Sequence, residues 1–326
     1  MRGVVKMLHL IEQLNIKYPI IQGGMGNISN AILTAAVSEA GGLGTIGCGT
    51  MTPDQVEEMI QETKRRTDKP FAVNIPITVT PFLEDIINVV IDNHIPVVSL
   101  SAGNPASIIP KLHSYGIKVI VVVASVKHAR KAERAGADLL VAEGFEAAGI
   151  NSNLELTTFT LIPQLTQCVD IPVIAAGGIG DGKGLAAALM LGASGVQIGT
   201  RLIATQEAPF HMSYKQKLIQ ASDTDTIVVG RSVGQVRRIL NTPYANRIVE
   251  KENEGMILEE YNKMTSENLH VIGALKGDFV NGFINSGQVA GLLSNIPSVK
   301  ELLENMVEEA SSQIQQSFSV FETFTS

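Results

Sequence analysis

Eight short apolar runs, each followed by a glycine- or serine-containing turn and then a helical stretch, constrain the fold of this 326-residue chain. They cover Ile20–Gln22, Leu43–Gly47, Phe71–Ile75, Val97–Leu100, Lys118–Val123, Leu139–Glu143, Val173–Ala176 and Gly195–Ile198. Most are continuously apolar rather than alternating, the pattern of parallel strands covered by helices. Pro19, Pro70, Pro96 and Pro172 lead into four of them, where a missing N–H does least harm. Helical patterns fill the gaps, as at Pro53–Lys64, Pro81–Asn93, Val126–Ala135 and Gly182–Leu191. Eight βα units predict a closed (β/α)8 TIM barrel of the α/β class rather than an open doubly wound sheet. The open sheet would want a GxGxxG turn early; Gly23-Gly24-Met25-Gly26 is too short for one.

The pattern breaks after Arg201. Residues 205–285 are more polar and more helical, and predict a small helical cap inserted after strand eight, on the face where barrels bind ligands. The stretch from Gly287 to Ser311 is expected to be the eighth barrel helix. The expected organisation is a barrel from 1–204 and 286–312, a cap from 205–285 and a loose tail from 313–326.

Composition excludes several classes. Net charge is −7, and the densest basic run, Lys64-Arg65-Arg66, reads as the polar end of a helix. Nucleic acid and anionic membrane are therefore not expected partners. The N-terminus has neither a signal-peptide pattern nor a cleavage site, and no run of about 18 apolar residues exists. Two cysteines, Cys48 and Cys168, give no disulfide framework and no metal spacing. A cytoplasmic protein acting on a small molecule is expected; its assembly is open, with a homodimer among the options.

Residues 171–201, IPVIAAGGIGDGKGLAAALMLGASGVQIGTR, carry the strongest chemical signal. Gly177-Gly178 and Gly199-Thr200 end strands seven and eight. Glycines let backbone N–H groups crowd a phosphate, and the following helix points its positive end the same way. Paired at the last two strands, they predict a phosphate cup, although each turn alone could be a bare βα connection. The other strand ends offer Gln22-Gly23-Gly24-Met25, Asn74, Ser125 and Glu143, mostly backbone and amides. Such a mouth suits a flat aromatic cofactor better than metal hydrolysis, and no metal site is expected.

Ordered motifs then match one family: PIIQGGMG (19–26), AGGLGTIG (40–47), KPFAVNI (69–75), AGNP (102–105), GADLLVAEGFEAAG (136–149), LTTFTLIPQL (156–165) and the 171–201 stretch. The chain resembles the FMN-dependent family of nitronate monooxygenase (2-nitropropane dioxygenase) and flavin-type enoyl-ACP reductase II. The likeness spans about residues 10–220, and SGQVAGLLSNIPSVKELLENM (286–306) resembles the family's closing helix. AGNP and LTTFTL lean toward the reductase branch. The resemblance implies an FMN oxidoreductase that takes electrons from NADH, NADPH or the substrate and passes them to an enoyl thioester, or from a nitronate to O2. It puts Gln22, Gly23, Gly24 and Met25 beneath or beside the flavin ring, and Asn74 and Glu143 along ring and ribityl. Ser125 falls at the rim, Gly177, Gly178, Gly199 and Thr200 around the phosphate, and Gln288 on the last loop.

One position departs. Relatives carry EAGGH after the sixth strand, and this chain reads Glu146-Ala147-Ala148-Gly149-Ile150. Isoleucine cannot donate, accept or titrate. Losing a general acid or base removes about 10²–10⁴-fold of rate. Asn151 and His128 are the candidate substitutes near the mouth. A flavin-binding protein without family catalysis, and a non-flavin sugar-phosphate barrel enzyme, are the alternative readings.

Overall fold

A computed structural model describes residues 2–325. Strands β1 (Ile20–Gln22), β2 (Gly44–Gly47), β3 (Phe71–Pro76), β4 (Val97–Ser101), β5 (Lys118–Val123) and β6 (Leu139–Glu143) are parallel, as are β8 (Val173–Ala176) and β9 (Gly195–Ile198). They run in the order β1-β9-β8-β6-β5-β4-β3-β2. Leu43 closes the ring: Gln22 N–H donates to its carbonyl at 2.9 Å, and its N–H donates to Ile20 at 3.0 Å. The chain is a TIM barrel, and the eight expected strands all form.

Two apolar layers hold it. Ile21, Leu43, Ala72, Val97, Ile120, Leu139, Val141 and Ile174 fill the barrel interior, and Leu10 and Leu14 of the helix Arg2–Leu14 join that cluster. A larger layer lies between strands and outer helices, including Val73, Val98, Val119, Leu140 and Val196. Alternate residues of one strand thus face opposite layers, so both must be apolar. Cys48 is fully buried, and burial pushes its thiol up to about 12. It is a small packed hydrophobe.

The closing segment differs from the expected single helix over 287–311. A short 3₁₀ turn, Gln288–Leu292, is followed by an irregular stretch and then a helix over Val299–Thr325. Pro297 explains the break, because it lacks an N–H and pushes Ile296 out of helical backbone. The helix also runs through the expected tail, and its side chains are exposed from 315 to 324. Its first half seats against the helix Gly182–Met190, where a Cβ on Gly182 would fall 2.4 Å from Glu309 Cβ and 2.6 Å from the Met306 carbonyl. Buried Arg201 ties strand eight's turn to this segment. Its guanidinium donates to the carbonyls of Ala204 and Asn295 at 3.2 Å and to Asn295 Oδ1 at 2.7 Å. Arg201→Ala is expected to lower unfolding free energy by about 3 kcal/mol, since it leaves buried acceptors unpaired. Urea unfolding checks this; a loss below 1 kcal/mol would mean the tie is dispensable.

Residues 205–285 hold the helices Met212–Ile219, Pro243–Asn253, Leu258–Met264 and Glu267–Lys276, which cover fewer than half of them, so the segment is less helical than expected. It also holds an unanticipated hairpin, β10 (Thr226–Val229) with β11 (Arg237–Leu240). β11 pairs antiparallel with β7 (Gly149–Ile150) from the loop after β6. Charged residues within and between these short strands hid them from periodicity. Val229, Ile239, Tyr244, Ile248, Tyr261 and Phe283 give the insertion its own small core. Among the described residues, no helix is long and apolar enough to cross a membrane.

Candidate active site

A cavity of about 690 Å³ opens at the C-terminal ends of the strands, between the barrel and the 205–285 insertion. Nine of the anticipated residues line it: Gly23, Gly24, Met25, Asn74, Glu143, Gly177, Gly178, Gly199 and Thr200. Ile150, Asn151 and His128 line it too. Three anticipated residues lie elsewhere. Gln22 is completely buried at the seam between β1 and β2, where its Oε1 accepts from Thr45 N–H at 3.4 Å. Ser125 is buried as a helix cap, accepting from His128 N–H at 3.2 Å. Gln288 is exposed, and its N–H is bound to the Glu146 carbonyl at 2.9 Å.

On the floor, Asn74 Nδ2 donates to Ser99 O, Ser99 Oγ and Ser101 Oγ, each at 3.2 Å. That clamp turns Oδ1 toward Gly24, where an added Cβ would stand 2.6 Å from it. Only a glycine lets the first loop lie so close, leaving Asn74 Oδ1 as an acceptor. Glu143 ends β6 at the cavity wall, and burial pushes its carboxyl up to about 7. It can therefore be neutral or ionised near neutral pH.

At the other end, Gly177 and Gly178 take φ of 102° and 73°, open to few residues but glycine. A Cβ on Gly199 would meet nothing within 4 Å, so that backbone faces open space. Thr200 Oγ1 accepts from Gly287 N–H at 2.9 Å, joining this turn to the closing segment. The helix after β8 is less available to a phosphate than expected. Asp181 accepts from Gly184 N–H and Glu309 from Gly182 N–H, both at 2.8 Å. Two of its orphan donors are thus occupied by carboxylates.

Asn151 and His128, the two polar candidates near position 150, are differently employed. Asn151 Nδ2 donates to Ala147 O at 2.9 Å and Gly149 O at 3.2 Å, bracing its own loop. His128 is an exposed rim residue on the helix Val126–Arg134. Ile150 is 50% exposed. Among the described residues, no cluster of three or more His, Cys, Asp or Glu could hold a metal.

The sequence reading missed a polar group brought in by the insertion. Arg237, Glu267, His270 and Asn285 line the cavity beside Ile150. Glu267 Oε2 accepts from Asn27 N–H at 3.2 Å and lies 3.8 Å from His270 Nδ1; Arg237 is 4.0 Å from its Oε1. Burial opposes ionisation of Glu267, but His270, Arg237 and the Asn27 amide outweigh it and hold the carboxyl at about 2. Glu267 and His270 sit one helical turn apart, a legible pair. Arg237 and Asn285 had no such signal.

The nitronate monooxygenase family model matches residues 8–86 and 78–309, nearly the whole chain. The chain belongs to the nitronate monooxygenase family. Members of this family are FMN-type oxidoreductases, and this chain is an oxidoreductase of that type. It is 34% identical to a probable nitronate monooxygenase of Staphylococcus saprophyticus, over 91% of this chain and 96% of that protein. It is 32% identical to an octahydroindene-carboxyl-CoA dehydrogenase of Rhodococcus jostii, over 94% of this chain and 96% of that protein. Among solved structures, FabK from Thermotoga maritima superposes with a TM-score of 0.91 at 43% identity, covering 96% of this chain and 98% of that one.

Proposed function

We propose that this protein is an FMN-dependent reductase of 2-enoyl thioesters, drawing electrons from NADH or NADPH. The 43% identity to FabK, an enoyl-ACP reductase, over 96% of the chain carries this reading. The cavity supports the cofactor: it is large enough for a mononucleotide with a three-ring head, and its polar groups are few and fixed. Gly23, Gly24 and Met25 would lie along the ring, with Asn74 Oδ1 accepting from a ring N–H. Glu143 would meet the ribityl region. Gly177, Gly178, Gly199 and Thr200 would receive the phosphate. When bound, FMN supplies hydride transfer between a nicotinamide and the acceptor. The protein's part is to orient the thioester beneath residues 205–285 acting as a cap, and to stabilise the charge that develops on the thioester oxygen.

Anaerobic titration with NADH and NADPH, followed by reoxidation with crotonyl-CoA, tests the reading. Purified protein should show flavin absorbance near 450 nm that bleaches with one nicotinamide and returns with the thioester. Return only with O2, together with turnover of a nitronate, would move the protein to the monooxygenase reaction. No flavin after reconstitution would overturn the cofactor, and a bound sugar phosphate would replace it. Bound flavin that turns over neither substrate would mean a binding protein without family catalysis.

A further inference from the structure

We infer that the Asn285 carboxamide, clamped between Arg237 and His270, donates the hydrogen bond to the substrate oxygen that gains negative charge, standing in for the imidazole absent at position 150. This rests on the enoyl-thioester reading for its reaction, but not for its geometry. A Cβ on Gly149 would lie 3.7 Å from both Asn285 Cγ and Nδ2, so the amide sits over the residue preceding Ile150. Ile150 itself pairs with Arg237 across β7 and β11. The amide therefore occupies the neighbourhood of the missing side chain and lines the same cavity.

Its orientation is forced by chemistry. Arg237 Nη1 donates to Asn285 Oδ1 at 3.3 Å, and a guanidinium has no acceptor, so Nδ2 must face the other way. There it lies 3.2 Å from His270 Nε2 and 3.5 Å from Nδ1. The unprotonated ring nitrogen accepts from it, because a neutral imidazole keeps one acceptor. One Nδ2 hydrogen is used; the second remains for a ligand. The Tyr214 hydroxyl donates to the Asn285 carbonyl and holds the backbone. His270 is 2% exposed and stacks on Phe283 at 5.2 Å, so it is a positioning residue rather than one that meets substrate.

In the proposed reaction FMN, once reduced by the nicotinamide, would supply the hydride that the β-carbon of the enoyl thioester takes up. The C=C electron pair moves toward the α-carbon and the thioester oxygen, and water supplies the proton that the α-carbon takes up. The Asn285 N–H donates to that oxygen while it carries the charge. A fixed donor of this kind contributes about 10²–10³-fold to kcat, comparable to the loss expected from Ile150. The charged or titratable groups around His270 are Glu267 on its own helix, Arg237 on β11 and, through Asn285, Tyr214 on the helix Met212–Ile219.

The test uses the FMN-loaded enzyme, with crotonyl-CoA turnover and with propane-2-nitronate binding followed anaerobically by flavin absorbance. Asn285→Ala and the isosteric Asn285→Asp, which has no N–H, should both keep flavin. Their kcat should fall about 10²–10³-fold with little change in KM, and nitronate should bind at least about tenfold more weakly. Adding Ile150→His to Asn285→Ala should recover part of the rate. His270→Gln keeps an acceptor beside Asn285 Nδ2 and should hold kcat within about threefold of wild type, whereas His270→Leu, which removes that acceptor, should lower kcat with little change in KM. If both Asn285 variants stay within threefold of wild type in kcat and nitronate affinity, the inference is wrong. Wild-type protein that turns over neither substrate, yet loses nitronate binding on Asn285→Asp, would overturn the reductase reading and leave the donor standing. Should Asn285→Ala not fold, Asn285→Asp decides alone.

Discussion

Gly24→Ala is expected to strip the protein of flavin, with FMN affinity falling at least about 100-fold, or about 2.7 kcal/mol. The added methyl would lie 2.6 Å from Asn74 Oδ1 and 2.8 Å from its Cβ and Cγ, closer than real Cβ contacts come. Asn74 cannot swing aside freely, because three hydrogen bonds to Ser99 and Ser101 hold its amide. Either the first loop lifts or the Asn74 clamp breaks, and both disturb the floor on which the ring would rest. Fluorescence titration of apoprotein with FMN measures the change. Affinity equal to wild type would show that the ring does not lie over Gly24 and Asn74.

Glu143→Gln should make the apoprotein more stable than wild type at pH 8, by at most about 3 kcal/mol, with the difference vanishing toward pH 4.5. The folded protein holds the Glu143 proton up to about pH 7, whereas an ordinary glutamate releases it near 4.5. Stability from this group is therefore full below pH 4.5 and is lost as pH rises through 7, where folding must keep a desolvated carboxylate. An amide of the same shape carries no such penalty. Urea unfolding of both apoproteins at pH 5 and pH 8 reads the effect. Equal stability at pH 8 would mean the carboxyl is well solvated in the open cavity.

The barrel was legible because each strand carries its own evidence. A run such as Val173–Ala176 is apolar on both faces, is entered by a proline and leaves through glycines, so one short window suffices. Gly177, Gly178 and Gly199 were legible for the same reason, since a backbone turn is a local matter. Gln22 and Ser125 were misplaced relative to the cavity because sequence marks a strand end but not which way a side chain turns there. Gln22 is taken up at the seam with β2, bound to Thr45 N–H, and Ser125 is taken up as a helix cap. The hairpin of β10 and β11 was missed because its edge partner, Gly149–Ile150, lies about 90 residues earlier. The break before Val299 was readable in hindsight from Pro297.

By itself the sequence determined the eight-stranded barrel, the glycine turns that would hold a phosphate, and the absence of an imidazole at position 150. These follow from residue types acting within a few positions of themselves. Only the tertiary structure decided which polar groups stand beside position 150. Arg237, His270 and Asn285 lie on separate segments of the insertion, and folding it onto the loop after the sixth strand gathers them beside Ile150. Asn285 acquires its orientation from an arginine 48 residues away and a histidine 15 residues away. No local pattern encodes that pairing, because hydrogen-bond direction depends on which donors and acceptors the packed chain brings into contact.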